Sequence, residues 1–190
     1  MQSRTDIINF LIRKHQYQSY LEIGLGNGKN FHEIDVPWKV GVDPNSMACA
    51  SERYLVLPRK SDRFLSNNKA RFDIVFVDGD HSYETALYDI QEALKVVSVG
   101  GRIIVHDCLP NRVEETERTD GFGYYGGVWR AFLQIRPWWY SYVINTDCGV
   151  GVICPDERPS MSMEMIPDNP TFDEYIENRD KWMNIVGEVE

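Results

Sequence analysis

The sequence predicts an α/β fold: a mostly parallel sheet with helices on both faces. Short apolar runs alternate with helical stretches from Ser19 onward. A glycine-rich turn, GLGNG at 24–28, joins the first run to the helix after it, and beyond residue 140 the alternation gives way to two strands linked by a tight turn. Repeated strand–helix–strand units need right-handed crossovers, which make the strands parallel and cover both faces.

DIINFLIRK, 6–14, is crowded with apolar residues and reads as a short helix. SYLEIG is a strand, GKNFHEI the helix it feeds, and WKVGVD a second strand ending at Asp43. RYLVL follows as a third strand and SDRFLSN as a short helix; FDIVFVD has the near-continuous apolar character of a buried parallel strand. From Tyr83 to Val97 runs the clearest helix, with Ala86, Leu87, Ile90, Ala93, Leu94 and Val97 on one face and Ser82 at the N-cap. Gly100 and Gly101 supply the turn expected to end it, before the strand GRIIVHD. A helix at VWRAFLQI leads to the hairpin WYSYVINTDCGVGVICP, which turns at Asn145–Gly149. Residues 155–170 connect this core to a terminal helix at about 171–186, opened by a capping box of Thr171 and Glu174. Its aromatic stripe needs a surface to cover, from which a homodimer is expected.

With 190 residues, 43% of them hydrophobic, the chain builds one core and a single domain, 1–190. The net charge of −9, with no basic cluster, argues against nucleic acid. No apolar run is long enough to cross a bilayer, and MQSRTDIINF lacks the design of a signal peptide, so a cytoplasmic protein is expected. Cys49, Cys108, Cys148 and Cys154 show no CxxC spacing and read as free thiols.

In a parallel sheet, ligands bind at the carboxyl ends of the strands, where Gly24, Gly26 and Gly28 stand. A dinucleotide site prefers GxGxxG; here the spacing is GxGxG, preceded by Glu22. A carboxylate there suits a cationic amino group better than a pyrophosphate. Asp43 is placed to bind ribose hydroxyls, and Asp62, after the third strand, to meet an adenine amino group. The ligand so described has a ribose, a cationic amino-acid portion and no phosphate, which S-adenosylmethionine matches. The plainer readings are a simple glycine turn, a turn-initiating Asp43 before Pro44, and a helix cap at Asp62.

ExGxGxG at Glu22 to Gly28, GVD at Gly41 to Asp43, FVDGDHSYE at Phe76 to Glu84, GGRIIVHDCLP at Gly100 to Pro110 and the late GVGVI together resemble class I S-adenosylmethionine-dependent methyltransferases, in the branch of small-molecule and sugar O-methyltransferases. The resemblance covers about 18–155 and implies a Rossmann-like, seven-stranded, mostly parallel sheet with an antiparallel last strand. The segment from Asp43 to Arg53 is too short for a full helix, which leaves the adenine side open.

Asp78, Asp80, His81, His106 and Asp107 fall at the ends of two strands, on the rim of the glycine turn. Methyl transfer to a hydroxyl needs alignment and a base, for which His106 is the first candidate and His81 the second, with Asp107 beside them. Asp78 also falls among the cofactor-side residues. Some relatives hold a divalent cation such as magnesium at these strand ends. Asp78 and Asp107 match two of its ligands, but the third falls at Cys108 or His106, neither a preferred magnesium donor. Catalysis without metal is therefore the expectation. Tyr124 and Tyr125 are candidates for a wall over a small-molecule, sugar-like acceptor, and Trp138 and Trp139 for the core. The competing readings are an S-adenosylmethionine-binding protein without transferase activity and, disfavoured by the glycine spacing, an NAD-linked oxidoreductase.

Overall fold

The computed structural model describes residues 3–118, 123–158 and 166–188. In chain order the elements are α1 (Arg4–His15), β1 (Ser19–Ile23), α2 (Lys29–Glu33), β2 (Trp38–Val42), β3 (Cys49–Ala50), β4 (Tyr54–Leu57), α3 (Ser61–Leu65), β5 (Phe72–Val77), α4 (Tyr83–Val96), β6 (Val97–Val105), α5 (Val128–Ile135), β7 (Tyr140–Ile144), β8 (Val150–Cys154), α6 (Phe172–Trp182) and β9 (Ile185–Val186). They form one sheet in the order β3-β4-β2-β1-β5-β6-β8-β7-β9. β4, β2, β1, β5 and β6 are parallel neighbours, and β8 runs antiparallel between β6 and β7. Among the described residues no helix is long and apolar enough to cross a membrane.

Both faces of the sheet are buried, so alternate residues of one strand feed two cores. Val75 and Val77 of β5 join the core under α4, α5 and α6, while Ile74 and Phe76 join the one under α1 and α2. Burial on both sides is why these strands read as continuous apolar runs.

Four expectations need correction. The sheet has nine strands rather than seven, because the two-residue β3 pairs antiparallel with β4 and the two-residue β9 pairs parallel with β7. β9 takes Val186, expected on the terminal helix, which ends at Trp182. Gly100 does not end α4: the helix passes directly into β6 at Val97, and Gly100, at φ +78°, lies where the pairing with β5 slips between Phe72↔Val97 and Ile74↔Arg102. Trp138, expected in the core, is 72% exposed.

The capping box of Thr171 and Glu174 is present. The stripe of α6 is buried within the chain, Tyr175 packing 4.5 Å from Trp129 between ring centroids, and only Ile176 remains substantially exposed. Of the connection 155–170, residues 159–165 lie outside the described residues, as do Gly121 and Phe122 beside the two tyrosines.

Candidate active site

The parallel strands end in register, and this alone assembles the site. Gly24 N–H donates to Val42 O (2.9 Å), Asp78 N–H to Ile23 O (2.9 Å) and His106 N–H to Val77 O (3.1 Å), so the residues following β1, β5 and β6 stand side by side. Gly24 has φ +86°, and a Cβ there would lie 2.1 Å from Asp78 O; only glycine lets the two turns touch. Gly26, at φ +52°, instead faces open space, with no atom within 4 Å of a Cβ position.

That space belongs to a cavity of about 500 Å³ lined by Glu22, Gly24–Asn27, Lys29, Asn30, Glu33, Asp78, His81 and Asp147, together with Ser3, Arg4 and Thr5 at the start of α1. Asp43 lies behind the glycine turn. Its Oδ2 accepts from the N–H groups of Leu25 (3.0 Å) and Gly26 (3.2 Å), and its Oδ1 from Asn45 N–H (2.7 Å), so it holds the turn in shape. Asp62 is exposed in the first turn of α3, its Oδ1 accepting from Arg63 N–H. Asp80 caps α4 through Ser82 N–H (2.8 Å).

Glu22 is 1% exposed and accepts through Oε2 from Tyr20 OH (2.5 Å) and Asn30 Nδ2 (3.1 Å). Burial outweighs those bonds and pushes its pKa up to about 8. The free protein thus holds Glu22 largely protonated near neutrality. The unfolded chain ionises it near 4.5, so Glu22 erodes stability as pH rises from there towards 8. Glu22→Gln should therefore stabilise the ligand-free protein by a few kcal/mol at pH 8 and by little at pH 5. Denaturant titrations at the two pH values check this.

Asp78, Asp107 and Asp147 surround two imidazoles. His106 is 5% exposed, its Nδ1 lying 3.0 Å from Asp107 Oδ1 and 3.3 Å from Asp78 Oδ1. Burial would lower its pKa, but Asp107, Asp147 and Asp78 prevail and raise it to about 11. Arg4 Nη1 lies 2.6 Å from Nε2, and Asp147 Oδ1 lies 3.6 Å from the same nitrogen. Nη1 also lies 3.2 Å from Nδ1, so Arg4 packs across both ring nitrogens while the three carboxylates favour the charged ring. Both ring nitrogens of His106 are thus occupied by Asp78, Asp107, Asp147 and Arg4.

His81 lines the cavity. Its Nδ1 lies 2.7 Å from Tyr124 O and 3.3 Å from Asp107 Oδ2, and its Nε2 lies 3.5 Å from Asp78 Oδ1. A carbonyl accepts, so Nδ1 carries the proton; Nε2, beside Asp78 Oδ1, offers a lone pair only when the ring is neutral. Gly126 and Gly127 make this possible: Gly127 N–H donates to His81 O (2.8 Å), and a Cβ at Gly126 would lie 2.1 Å from that oxygen. Tyr124 stacks on His81 and carries Arg118 against its ring, while Tyr125 pairs with the Cys148 side chain.

Asp78, His81 and Asp107 place three ligand atoms within 4.8 Å of one another. Cys108 does not join them: it is fully buried, with Sγ 3.5 Å from Val105 O. With imidazole in the donor set, these residues suit a borderline transition ion better than magnesium.

A family model described as a methyltransferase domain matches residues 11–108, from α1 through the glycine turn and the DGDH segment to Cys108. The chain belongs to this methyltransferase family. No curated protein sequence matches it. Solved structures with the same fold include an O-methyltransferase from Bacillus cereus in complex with SAH, at 17% identity and a TM-score of 0.57 over 79% of this chain and 80% of that one. The O-methyltransferase TomG from Streptomyces achromogenes, in complex with SAM, shares 20% identity at a TM-score of 0.56 over 79% and 78%. Cofactor-bound Rv0187 from MTB shares 18% at 0.64 over 82% and 80%. Within the methyltransferase domain, Glu22, Gly24, Gly26, Asp78, His81, His106 and Asp107 converge on one rim, whereas Gly28 starts α2 and Asp62 stands apart.

Arg4 and Asp147 lie outside the matched segment and were not evident from the sequence. Asp147 reaches the site because Cys108 and Leu109 N–H pair with Gly149 and Cys148 O (both 3.0 Å), pinning the hairpin turn against the end of β6. Asp107, Asp147 and Cys148 all have φ between +46° and +65°, so three left-handed non-glycine residues meet at this rim.

Proposed function

We propose that the protein transfers a methyl group from S-adenosylmethionine to a hydroxyl of a small acceptor, with His81 as general base. The observation that carries this reading is the open space over Gly26, part of a cavity that His81 and Asp78 also line. A glycine cradle without a nearby pyrophosphate subsite, with Glu22 and Asp78 at one end, suits a ribose-linked cationic amino acid. The SAM and SAH bound in two structural neighbours support it. The cofactor supplies an electrophilic methyl group.

The chain's own residues handle the proton. As the acceptor oxygen takes the methyl group, its proton passes to His81 Nε2. Asp78 Oδ1, 3.5 Å away, then faces the new imidazolium, while Tyr124 O holds Nδ1–H and the ring's orientation. Burial pulls the His81 pKa down, but Asp78, Asp107 and Tyr124 O raise it above 6.5 on balance. The base works only when neutral, so turnover should rise with pH through a midpoint above that of ordinary histidine.

Isothermal titration with S-adenosylhomocysteine tests the cofactor, and labelled methyl donor across phenols, sugars and other alcohols tests the acceptor. Binding without turnover on any acceptor would favour a non-catalytic S-adenosylmethionine-binding protein. The second reading is a divalent cation on Asp78, His81 and Asp107, favoured by their proximity. It would occupy the lone pair that the base needs. Turnover should therefore survive a chelator; loss on chelation, restored by manganese or magnesium, would replace the base by the ion.

A further inference from the structure

We propose that Arg4 binds the α-carboxylate of the methyl donor, so that recognition of the cofactor depends on its amino-acid end being a zwitterion. This rests on the S-adenosylmethionine reading. The cavity is lined by the acidic side chains of Glu22, Glu33, Asp78 and Asp147, and Arg4 brings a guanidinium into it from the start of α1. An ammonium group is at home among these carboxylates. A carboxylate in this acidic cavity needs a cation, and Arg4 is the one on its inner lining.

Arg4 is held ready for this. Its backbone N–H donates to Asp147 Oδ2 (2.8 Å), and its Nη1 reaches His106 Nε2 and lies 3.8 Å from Asp147 Oδ1. Those contacts use a single nitrogen of the guanidinium; its other donors have no bond among the described residues, and the side chain is 31% exposed. A planar fork with free donors suits a carboxylate, and fixing one of its nitrogens reduces the entropy lost on binding. Next to it, Thr5 Oγ1 donates to Asn30 Oδ1 (2.8 Å), and Asn30 donates to Glu22, so the Arg4 wall is tied to the residue facing it. Lys29 is the other cationic side chain on the cavity, but it is exposed at the mouth and makes no side-chain bond among the described residues.

The test compares S-adenosylhomocysteine with its decarboxylated analogue, which keeps the ammonium group, by calorimetry. The wild type should prefer the carboxylate-bearing ligand by about tenfold or more, as expected for a charge-assisted pair. Arg4→Ala should reduce that preference to within about twofold through weaker binding of S-adenosylhomocysteine alone, Arg4→Lys should restore part of it, and Lys29→Ala should leave it intact. A wild type that binds both ligands equally overturns the proposal whatever the variants do. So does an Arg4→Ala protein that weakens both ligands by one factor, or a preference that collapses in Lys29→Ala instead. Failure of the wild type to bind S-adenosylhomocysteine at all would remove the underlying cofactor reading, a result distinct from equal binding.

Discussion

His81→Gln should lose about 10²–10⁴-fold in kcat while binding S-adenosylhomocysteine within about twofold of the wild type. Glutamine preserves the length of the side chain and its amide can still donate to Tyr124 O, but an amide takes no proton at any working pH. The loss should therefore be one of turnover, and the rise of rate with pH should disappear with it. His106→Gln makes the contrast. Its ring is buried among Asp78, Asp107 and Asp147, which hold it charged, so replacing it by a neutral amide disturbs charge balance first. The expected result is a lowered melting temperature with a smaller fall in kcat per folded molecule. If His106→Gln abolishes turnover with its fold intact while His81→Gln keeps it, the base is His106.

The difference between those histidines marks where the sequence stops being informative. Both follow buried strands, and the apolar runs FDIVFV and RIIV place them on the same rim from periodicity alone. What separates them comes from distant segments: Arg4 from the start of α1, Asp147 from a hairpin turn, and Tyr124 O from the segment before α5. Read locally, Arg4 is one residue of a helix start and Asp147 one turn residue, and neither spacing points at His106. Only the three-dimensional closure of β8 onto β6 brings Asp147 in. The α4 pattern shows the same limit. Periodicity put Leu87 and Leu94 on the buried face, yet both are only partly buried, while Asp89 is 1% exposed beneath Gly79. Burial raises the Asp89 pKa to about 6, a cost that an apolar pattern cannot reveal because it belongs to the loop above.

The glycine turn was legible as a cradle, but its glycines are not equivalent, and the same substitution at two of them should give opposite defects. In Gly24→Ala the new Cβ would sit 2.1 Å from Asp78 O, 2.5 Å from Asp78 C and 2.6 Å from Gly79 Cα. These are backbone atoms fixed by the Asp78 N–H bond to Ile23 O, so no rotamer relieves the clash and the ends of β1 and β5 must separate. A loss on the order of 4 kcal/mol or more in unfolding free energy is expected, at the extreme for a single methyl group. In Gly26→Ala the Cβ meets nothing within 4 Å, and the cost to the fold is only that of holding alanine at φ +52°, about 1 kcal/mol. Its methyl group projects into the space assigned to the cofactor, so S-adenosylhomocysteine affinity should fall by at least about tenfold with melting nearly unchanged. Denaturant unfolding and calorimetry on the pair separate the two roles. A Gly26→Ala protein that binds S-adenosylhomocysteine as tightly as the wild type would place the cofactor elsewhere on the rim. Gly24→Ala remaining as stable as the wild type would mean that the turns after β1 and β5 do not touch as described, and with that the juxtaposition of Glu22, Asp78 and His81 would lose its basis.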